Sequence, residues 1–368
     1  MTTSEVRIGA LSTFIRELGE LGDSGSTLRY FRGHSKIDFE LLPSIYRNHG
    51  WLQNEDRMLK ELILRCPDDF RRDLSTFQCL VKMQHYGLPT RLLDITSNPM
   101  VALYFACEVH VADDKDGAVL VFDYDVEAVK YFDSDTVSVL SNLSRRPNDF
   151  TLPEVSDQRD WESDTAIDKF NAYPAIKLLL HDIGNDKAHF APKIKPDDIG
   201  RVICVKPLLD NPRIIRQEGA FLLFGCGKTK DQPAKLTSSA SVRKLVISKE
   251  KKQSIRNELA RIGITHATLF PEIERVAQFI RDTNYVAPPK VLDTKDLGSS
   301  LLKIIDALNT HGVGTVGEIV NLSGVKRPAV LRALSNLKER GIVRAEGKRA
   351  SSRWLLTDDA LSQQESLR

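Results

Sequence analysis

The stretch MQHYGLPTRLLDITSNPMVALYF, residues 83–105, decides the reading of the chain. Its first part, HYGLPTRLLDI, reads as a loop followed by a strand. TSNPMVALYFACEV then reads as a helix, with Asn98 as its cap and Pro99 in the first turn, where the missing N–H costs nothing. Nine polar or special-backbone residues crowd this strand entry and helix start: Gln84, His85, Gly87, Pro89, Thr90, Arg91, Asp94, Ser97 and Asn98. A purely structural loop rarely needs an Arg and an Asp bracketing two leucines, so Arg91 and Asp94 are site candidates, an internal Arg91–Asp94 pair being the alternative. His85 is another candidate. Its alternative is a hydrogen-bonded, half-buried histidine, since no Cys or Ser nucleophile with an orienting partner lies nearby in sequence.

Working outward, IGALSTFIRELGEL (8–21) sets Leu11, Phe14, Ile15 and Leu18 at helical spacing, which predicts a helix packed on the body. TLRYFRGHS reads as a short strand ending in a turn. There Gly33 lets the backbone turn and Arg32 is held as a cation for a phosphate or ribose, the alternative being a surface ion pair. Helix is expected over roughly 52–82, a strand at GAVLVFDY, and strands at RVICVKP, within NPRIIRQEGAFLLFG and at RKLVIS, then a helix at 249–262. The polar, Pro/Asp-rich span from about 133 to 200 predicts long loops with short elements. Strands come in clusters and helices are not regularly interleaved, so the fold class is α+β with a mixed, mostly antiparallel sheet.

The C-terminal part reads as a winged helix-turn-helix. Leu301, Ile304, Ile305 and Leu308 make a first helix, VGEIVNLSG a second and Pro328 to Arg340 a third, followed by two strands around a Gly/Ser turn. In the third helix Val330, Leu331, Leu334 and Leu337 are expected inward, leaving Arg327, Arg332, Ser335 and Asn336 outward. With Lys348, Arg349 and Arg353 of the wing, Arg327 and Arg332 form a candidate DNA-contacting set. The alternative is docking on protein through exposed apolar residues such as Trp354.

Composition narrows the class. At 368 residues with 41% apolar and 28% charged residues, the chain is an ordinary globular protein of about two domains. No apolar run reaches membrane-span length and no signal peptide is visible, so the expected location is the cytoplasm, without a membrane partner. Five scattered cysteines with no Cys-x-x-Cys argue for reduced thiols, and the eight histidines show no ligand spacing, so no metal is expected. The net charge is only +2, but residues 297–357 hold ten Lys/Arg against four Asp/Glu, a basic module on a mildly acidic body. GCGKT at 225–229 is not a P-loop, because Leu222 stands where the pattern needs Gly.

Arg-Gly within YFRGHS (30–35), LLPSIYR (41–47), the 83–105 motif extended to Ala106, DGAVLVFD (116–123) and RIIRQEGAF (213–221) occur in an order that resembles the FRG domain. The resemblance covers about residues 25–283. It implies an ADP-ribosyltransferase-like superfold with NAD as substrate and no metal. By position, Arg32 with Gly33 corresponds to the strand that holds the dinucleotide. Thr96 and Ser97 correspond to the platform under the nicotinamide ribose, and the segment holding Gln217 and Glu218 to the carboxylate strand; Gln84, His85, Thr90 and Arg91 join the cofactor-binding set. The family pattern matches Gln217 rather than Glu218. Either Gln217 faces the site and Asp94 supplies the carboxylate, or a bulge at Gly219 turns Glu218 inward. The catalytic set is then Arg32, Asp94, Gln217 and Glu218.

The expected organisation is an N-terminal helix (1–24), an FRG domain (25–285), a linker (286–297), a winged helix (298–357) and a flexible tail (358–368). The implied function is an NAD-consuming ADP-ribosyltransferase or glycohydrolase, acting as a bacterial toxin or phage-defence effector. The acceptor, protein or nucleic acid, is not readable; DNA is a partner through the winged helix, and an oligomer is left open. The competing reading is a non-enzymatic, DNA-associated regulator that binds a nucleotide or protein.

Overall fold

The computed structural model describes residues 6–22, 25–70, 73–108, 115–153, 163–236, 240–272, 299–339, 342–346 and 352–357. The expected linker (286–297) and tail (358–368) lie outside the described residues. The chain divides into two compact units, Met1–Arg281 and Asp282–Arg368.

The first unit is built on one eight-stranded sheet. Its strands are β1 (Val6–Ile8), β2 (Thr27–His34), β3 (Leu92–Thr96), β4 (Gly117–Asp125), β5 (Lys130–Tyr131), β6 (Val202–Lys206), β7 (Gly219–Phe224) and β8 (Ala240–Ile247). The order is β1-β8-β4-β2-β3-β7-β6-β5, parallel at the two outer pairs and antiparallel elsewhere, so the class is α+β with a mixed sheet. One joint in the sheet is thin. β2 pairs β4 from Thr27↔Asp125 to His34↔Ala118, and β3 pairs β7 from Leu92↔Leu223 to Thr96↔Gly219, but β2 meets β3 only at Phe31↔Thr96.

The helices are α1 (Leu11–Glu20), α2 (His49–Gln53), α3 (Glu55–Arg65), α4 (Thr76–His85), α5 (Pro99–Ala106), α6 (Asp135–Asn142), α7 (Asp164–Asn171), α8 (Pro174–Asp186), α9 (Pro196–Ile199), α10 (Pro212–Arg216), α11 (Lys252–Arg261) and α12 (His266–Leu269). α5 begins as its sequence dictates: Asn98 Oδ1 accepts from Met100 N at 2.9 Å, and Pro99 fills the first turn. α4 starts on a Ser75/Gln78 capping box. In α1, Phe14 is buried as expected, but Ile15 faces solvent at 51% exposure.

The span expected as loops from 133 to 200 holds α6, α7, α8 and α9. Val137, Leu140, Phe170, Ile176, Leu179 and Ile183 from these helices join Phe77, Leu80 and Met83 of α4 in a core against Leu92, Phe221 and Leu223 of the sheet. Helix α8 buries only Ile176, Leu179 and Ile183 of 13 residues, a narrow stripe whose period the adjacent exposed Leu178 and partly buried Leu180 blur in sequence. A second core sets α5, with Val101 and Leu103, against Phe31, Val119, Val121, Leu245 and Ile247.

An ion triad with no solvent exposure to speak of closes the far end of β3. Arg91 donates to Glu55 at 2.8 Å through Nε and 2.5 Å through Nη2, and to the Phe224 carbonyl at 3.1 Å. Lys230 reaches Glu55 at 2.9 Å and donates to the Arg146 carbonyl at 2.6 Å. Burial alone would push the Glu55 carboxyl up, but Arg91 and Lys230 outweigh it and hold Glu55 down at about 2.

The second unit contains α13 (Ser299–His311), β9 (Val313–Thr315), α14 (Val316–Ser323), α15 (Arg327–Glu339), β10 (Val343–Glu346) and β11 (Arg353–Leu356), with sheet order β10-β11-β9. A Thr315/Glu318 capping box opens α14, and Gly324 closes it at φ 65, a left-handed turn that favours glycine. Ile304, Leu308, Ile319, Val330, Leu334, Leu337 and Leu356 form its core. Leu331, expected inward, is 49% exposed. Among the described residues no helix is long and apolar enough to cross a membrane.

Removing the Glu55 charge strands two buried cations. Glu55→Gln is expected to lower stability by about 3–5 kcal/mol, the usual cost of breaking a buried pair from one side. Because the folded value lies below the unfolded one of about 4.3, the wild type has this stability above pH 4.3 and loses it as the pH falls toward 2. Denaturant melts of both proteins at pH 7 and pH 3 check this: the gap must narrow at the lower pH.

Candidate functional site

Beyond the single Phe31↔Thr96 pair, β2 and β3 part, and a cavity of about 240 Å³ occupies the opening. Alternation along β2 sends Tyr30, Arg32 and His34 to one face and Phe31 and Gly33 to the other. Arg32 bridges the gap: Nη1 donates to the Asp94 carbonyl at 2.5 Å and Nε donates to His34 Nε2 at 3.0 Å. Burial pulls Arg32 down to about 10, so it stays charged near neutral pH. His34 is pulled down to about 4 by burial and then by the Arg32, Arg47 and Lys244 charges, so its ring is neutral and Nε2 is free to accept.

Gly33 does not turn the chain, as the sequence reading had it; it lies within β2. Its role is close approach. A Cβ there would stand 2.0 Å from the Ala102 carbonyl oxygen and 2.6 Å from Ala106 N, so only glycine lets α5 press onto β2.

The central motif divides between two duties. Asp94 and Gln84 line the cavity, and Gln84 Nε2 donates to Asp94 Oδ2 at 2.8 Å. The buried Thr90 hydroxyl donates to Gln84 Oε1 and accepts from Leu92 N at 3.1 Å, so Thr90 stands behind Gln84 rather than in the cavity. Arg91 is the clearest correction. It is 0% exposed, pairs with Glu55 and not Asp94, and cannot touch a ligand in the cavity. His85 lines the cavity and is half-buried.

Thr96 also lines the cavity, but its hydroxyl is occupied: it donates to the Gln217 carbonyl at 2.6 Å and accepts from Asn98 N at 2.9 Å. Ser97 is exposed outside the cavity and donates to Glu218 Oε2 at 3.2 Å. The question of strand alternation at Gln217 and Glu218 dissolves, because neither is in a strand. Gln217 caps α10 and lines the cavity, its Nε2 donating to the Leu269 carbonyl at 3.0 Å. Glu218 adopts φ 46, the left-handed region rare for a non-glycine residue. Its carbonyl accepts from Ser97 N at 3.0 Å and its carboxylate from Asn98 Nδ2 at 2.9 Å, which turns it away from the cavity. Of the two carboxylates weighed from sequence, Asp94 is the one facing the opening.

Among the cavity residues missed in sequence, three stand inside motifs read there. His34 follows Arg-Gly directly, Arg47 ends LLPSIYR and Arg213 opens RIIRQEGAF, so each sat inside a motif already singled out. Arg213 lies over the Phe270 ring, 4.8 Å from its centroid. Among the described residues, no three His, Cys, Asp or Glu side chains cluster as a metal site would need. In the second unit Arg327, Arg332, Ser335 and Asn336 are exposed on α15, and Arg353 is exposed on β11. Lys348 and Arg349 lie outside the described residues. Trp354 packs on the core, so it is not the exposed apolar anchor that the docking alternative required.

The close approach at Gly33 is testable. Gly33→Ala is expected to cost about 3 kcal/mol through overpacking against α5 and to displace Arg32 from Asp94. Thermal unfolding gives the first effect; a variant as stable as the wild type would contradict the contact.

The FRG domain model matches residues 28–115, which include β2, the split at β3 and α5. The IclR helix-turn-helix domain model matches residues 301–347. No curated protein matches the chain. One polypeptide therefore joins an FRG domain to a C-terminal IclR-type helix-turn-helix.

Proposed function

We propose that the FRG unit binds NAD as substrate in the split between β2 and β3 and breaks its nicotinamide–ribose bond, passing ADP-ribose to an acceptor. The C-terminal unit holds the protein on DNA, and the whole acts as a bacterial toxin or phage-defence effector. One observation carries this reading: three guanidiniums, Arg32, Arg47 and Arg213, and the exposed carboxylate of Asp94 surround one cavity. Guanidiniums in a partly desolvated cleft suit a pyrophosphate, to which they offer paired, charge-assisted hydrogen bonds. Bond cleavage builds positive charge on the ribose, and Asp94, oriented by Gln84 and Thr90, is the group placed to stabilise it. The non-enzymatic reading is favoured by two details, the Glu218 carboxylate turned to Asn98 and the Thr96 hydroxyl already occupied.

Incubating the full chain with nicotinamide-labelled NAD separates the two, since only the first reading releases nicotinamide. Arg32→Lys is expected to lower release by about 10- to 100-fold, because a single ammonium lacks the planar fork that reaches His34 and the Asp94 carbonyl and still offers paired donors to a phosphate. Near-normal release would make Arg32 structural.

DNA binding by the second unit rests on Arg327, Arg332 and Arg353. Their phosphate contacts should give a log K against log salt slope of roughly −0.9 per contact, and each Arg→Ala in the full chain should reduce the slope by about one unit. Binding indifferent to salt and to all three charges would move the unit to protein docking.

A further inference from the structure

We propose that His85, oriented by Glu272, is the general base that takes the proton from an O–H acceptor entering through a second cavity next to the first. This rests on the NAD reading above and names the acceptor side of that same site.

The second cavity, about 360 Å³, lies between α4 and the segment leading into α10. It shares Val81, His85 and Asn211 with the first, so His85 stands in the wall common to both. The two cavities differ in chemistry. Arg32, Arg47 and Arg213 against Asp94 and Glu108 make the first electropositive; Asp68, Asp69 and Asp210 against Lys82 make the second electronegative. A second phosphate would be repelled there, whereas a neutral hydroxyl would not. The division suits a dinucleotide on one side and its attacking partner on the other.

Glu272 explains how His85 would be held. Both its carboxylate oxygens are buried without a hydrogen-bond partner among the described residues, and its ion-pair contact is His85 Nδ1 at 3.5 Å. A buried carboxylate left this way is costly, and a protonated Nδ1 drawn onto it is the simplest relief. That tautomer leaves the Nε2 lone pair as the basic atom. The groups facing His85 are Glu272, Arg213, Lys82 and the edge of the Tyr86 ring. Burial lowers its pKa and Arg213 and Lys82 add to this, while Glu272 opposes them, so the ring is neutral and able to accept a proton at physiological pH.

The step balances. The C–N bond between nicotinamide and ribose breaks and its electron pair leaves with neutral nicotinamide. The acceptor oxygen forms the new bond to C1′, and its proton passes to His85 Nε2, giving an imidazolium opposite the Glu272 carboxylate. His85 is the catalytic residue in this step, and Glu272 is a positioning residue.

The test uses the full chain, its His85→Asn and Glu272→Gln variants, NAD, and water or methanol as the O–H source. Calorimetry measures NAD affinity, and nicotinamide release is followed from pH 5 to 9. Expected are melting temperatures that confirm folding of both variants and, for Glu272→Gln, which does not line the NAD cavity, an NAD affinity within about twofold of wild type; release is compared at saturating NAD. Release by His85→Asn should fall about 100-fold or more and lose its acid limb. Glu272→Gln should keep an acid limb displaced to lower pH, because the carboxylate that raises the His85 pKa is gone. Methanol should be captured as the methyl glycoside of ADP-ribose, which distinguishes an open acceptor site from one that takes water alone; either product supports an O–H acceptor. Release that His85→Asn leaves unchanged overturns the base, and capture of the guanidinium compound agmatine in preference to methanol overturns the acceptor class. A wild type that neither binds nor cleaves NAD overturns the reading of the whole site, and this assignment with it.

Discussion

The triad of Glu55, Arg91 and Lys230 is the interaction on which the first unit depends. Three charges are taken out of water together, so each is tolerable only while the other two are present. Through them α3, the entry to β3 and the segment after β7 are tied at one point, with the Phe224 and Arg146 carbonyls satisfying further donors. The consequence lies three residues away. With Arg91 fixed, the register of β3 against β7 is fixed, and Asp94 can only emerge beside the opening that Arg32 crosses.

That opening is itself a compromise between pairing and packing. Two well-paired half-sheets, β1-β8-β4-β2 and β3-β7-β6-β5, meet at one residue pair, which leaves backbone groups along the seam without strand partners. The Arg32 guanidinium supplies one replacement, donating to the Asp94 carbonyl where a strand N–H would have done so. The same contact that relieves the seam therefore positions the cation. Gly33 completes the arrangement from the other face, because α5 fits against β2 only where a side chain is missing.

How much of this was legible in the sequence depended on whether the signal was local. The cap and Pro99 of α5, the strand at GAVLVFDY and the helices of the second unit carry their own signals and were read correctly. The α6 to α8 region was not, since α8 buries only Ile176, Leu179 and Ile183 while Leu178, next to them in sequence, is 56% exposed, which blurs the helical period. Glu218 was illegible for a different reason: its left-handed backbone is imposed by hydrogen bonds from Ser97 and Asn98, 120 or so residues earlier. The 83–105 motif teaches the most. Its polar residues looked like one site, yet Thr90 and Arg91 face the interior while Gln84, His85 and Asp94 face the cavity. A dense polar motif marks where a chain must be exact, and exactness serves scaffolding as readily as chemistry.

Charge balance makes a related point about scale. Residues 1–296 carry 41 Lys/Arg against 43 Asp/Glu, so that part of the chain is, taken whole, slightly repellent to an anion. Three guanidiniums nonetheless converge on one cavity from three distant segments, around residues 32, 47 and 213. Over the few ångströms that matter to a bound phosphate, in a cleft whose walls include Phe31, Phe105 and Phe221, those nearby charges outweigh the distant surplus that salt screens. The C-terminal unit shows the opposite case, its basic residues lying on an exposed helix and strand where the field is shared with solvent. On the proposed reading, anion recognition at the first place is a matter of shape and hydrogen bonding, and at the second a matter of counterions, which is why only the second should respond steeply to salt.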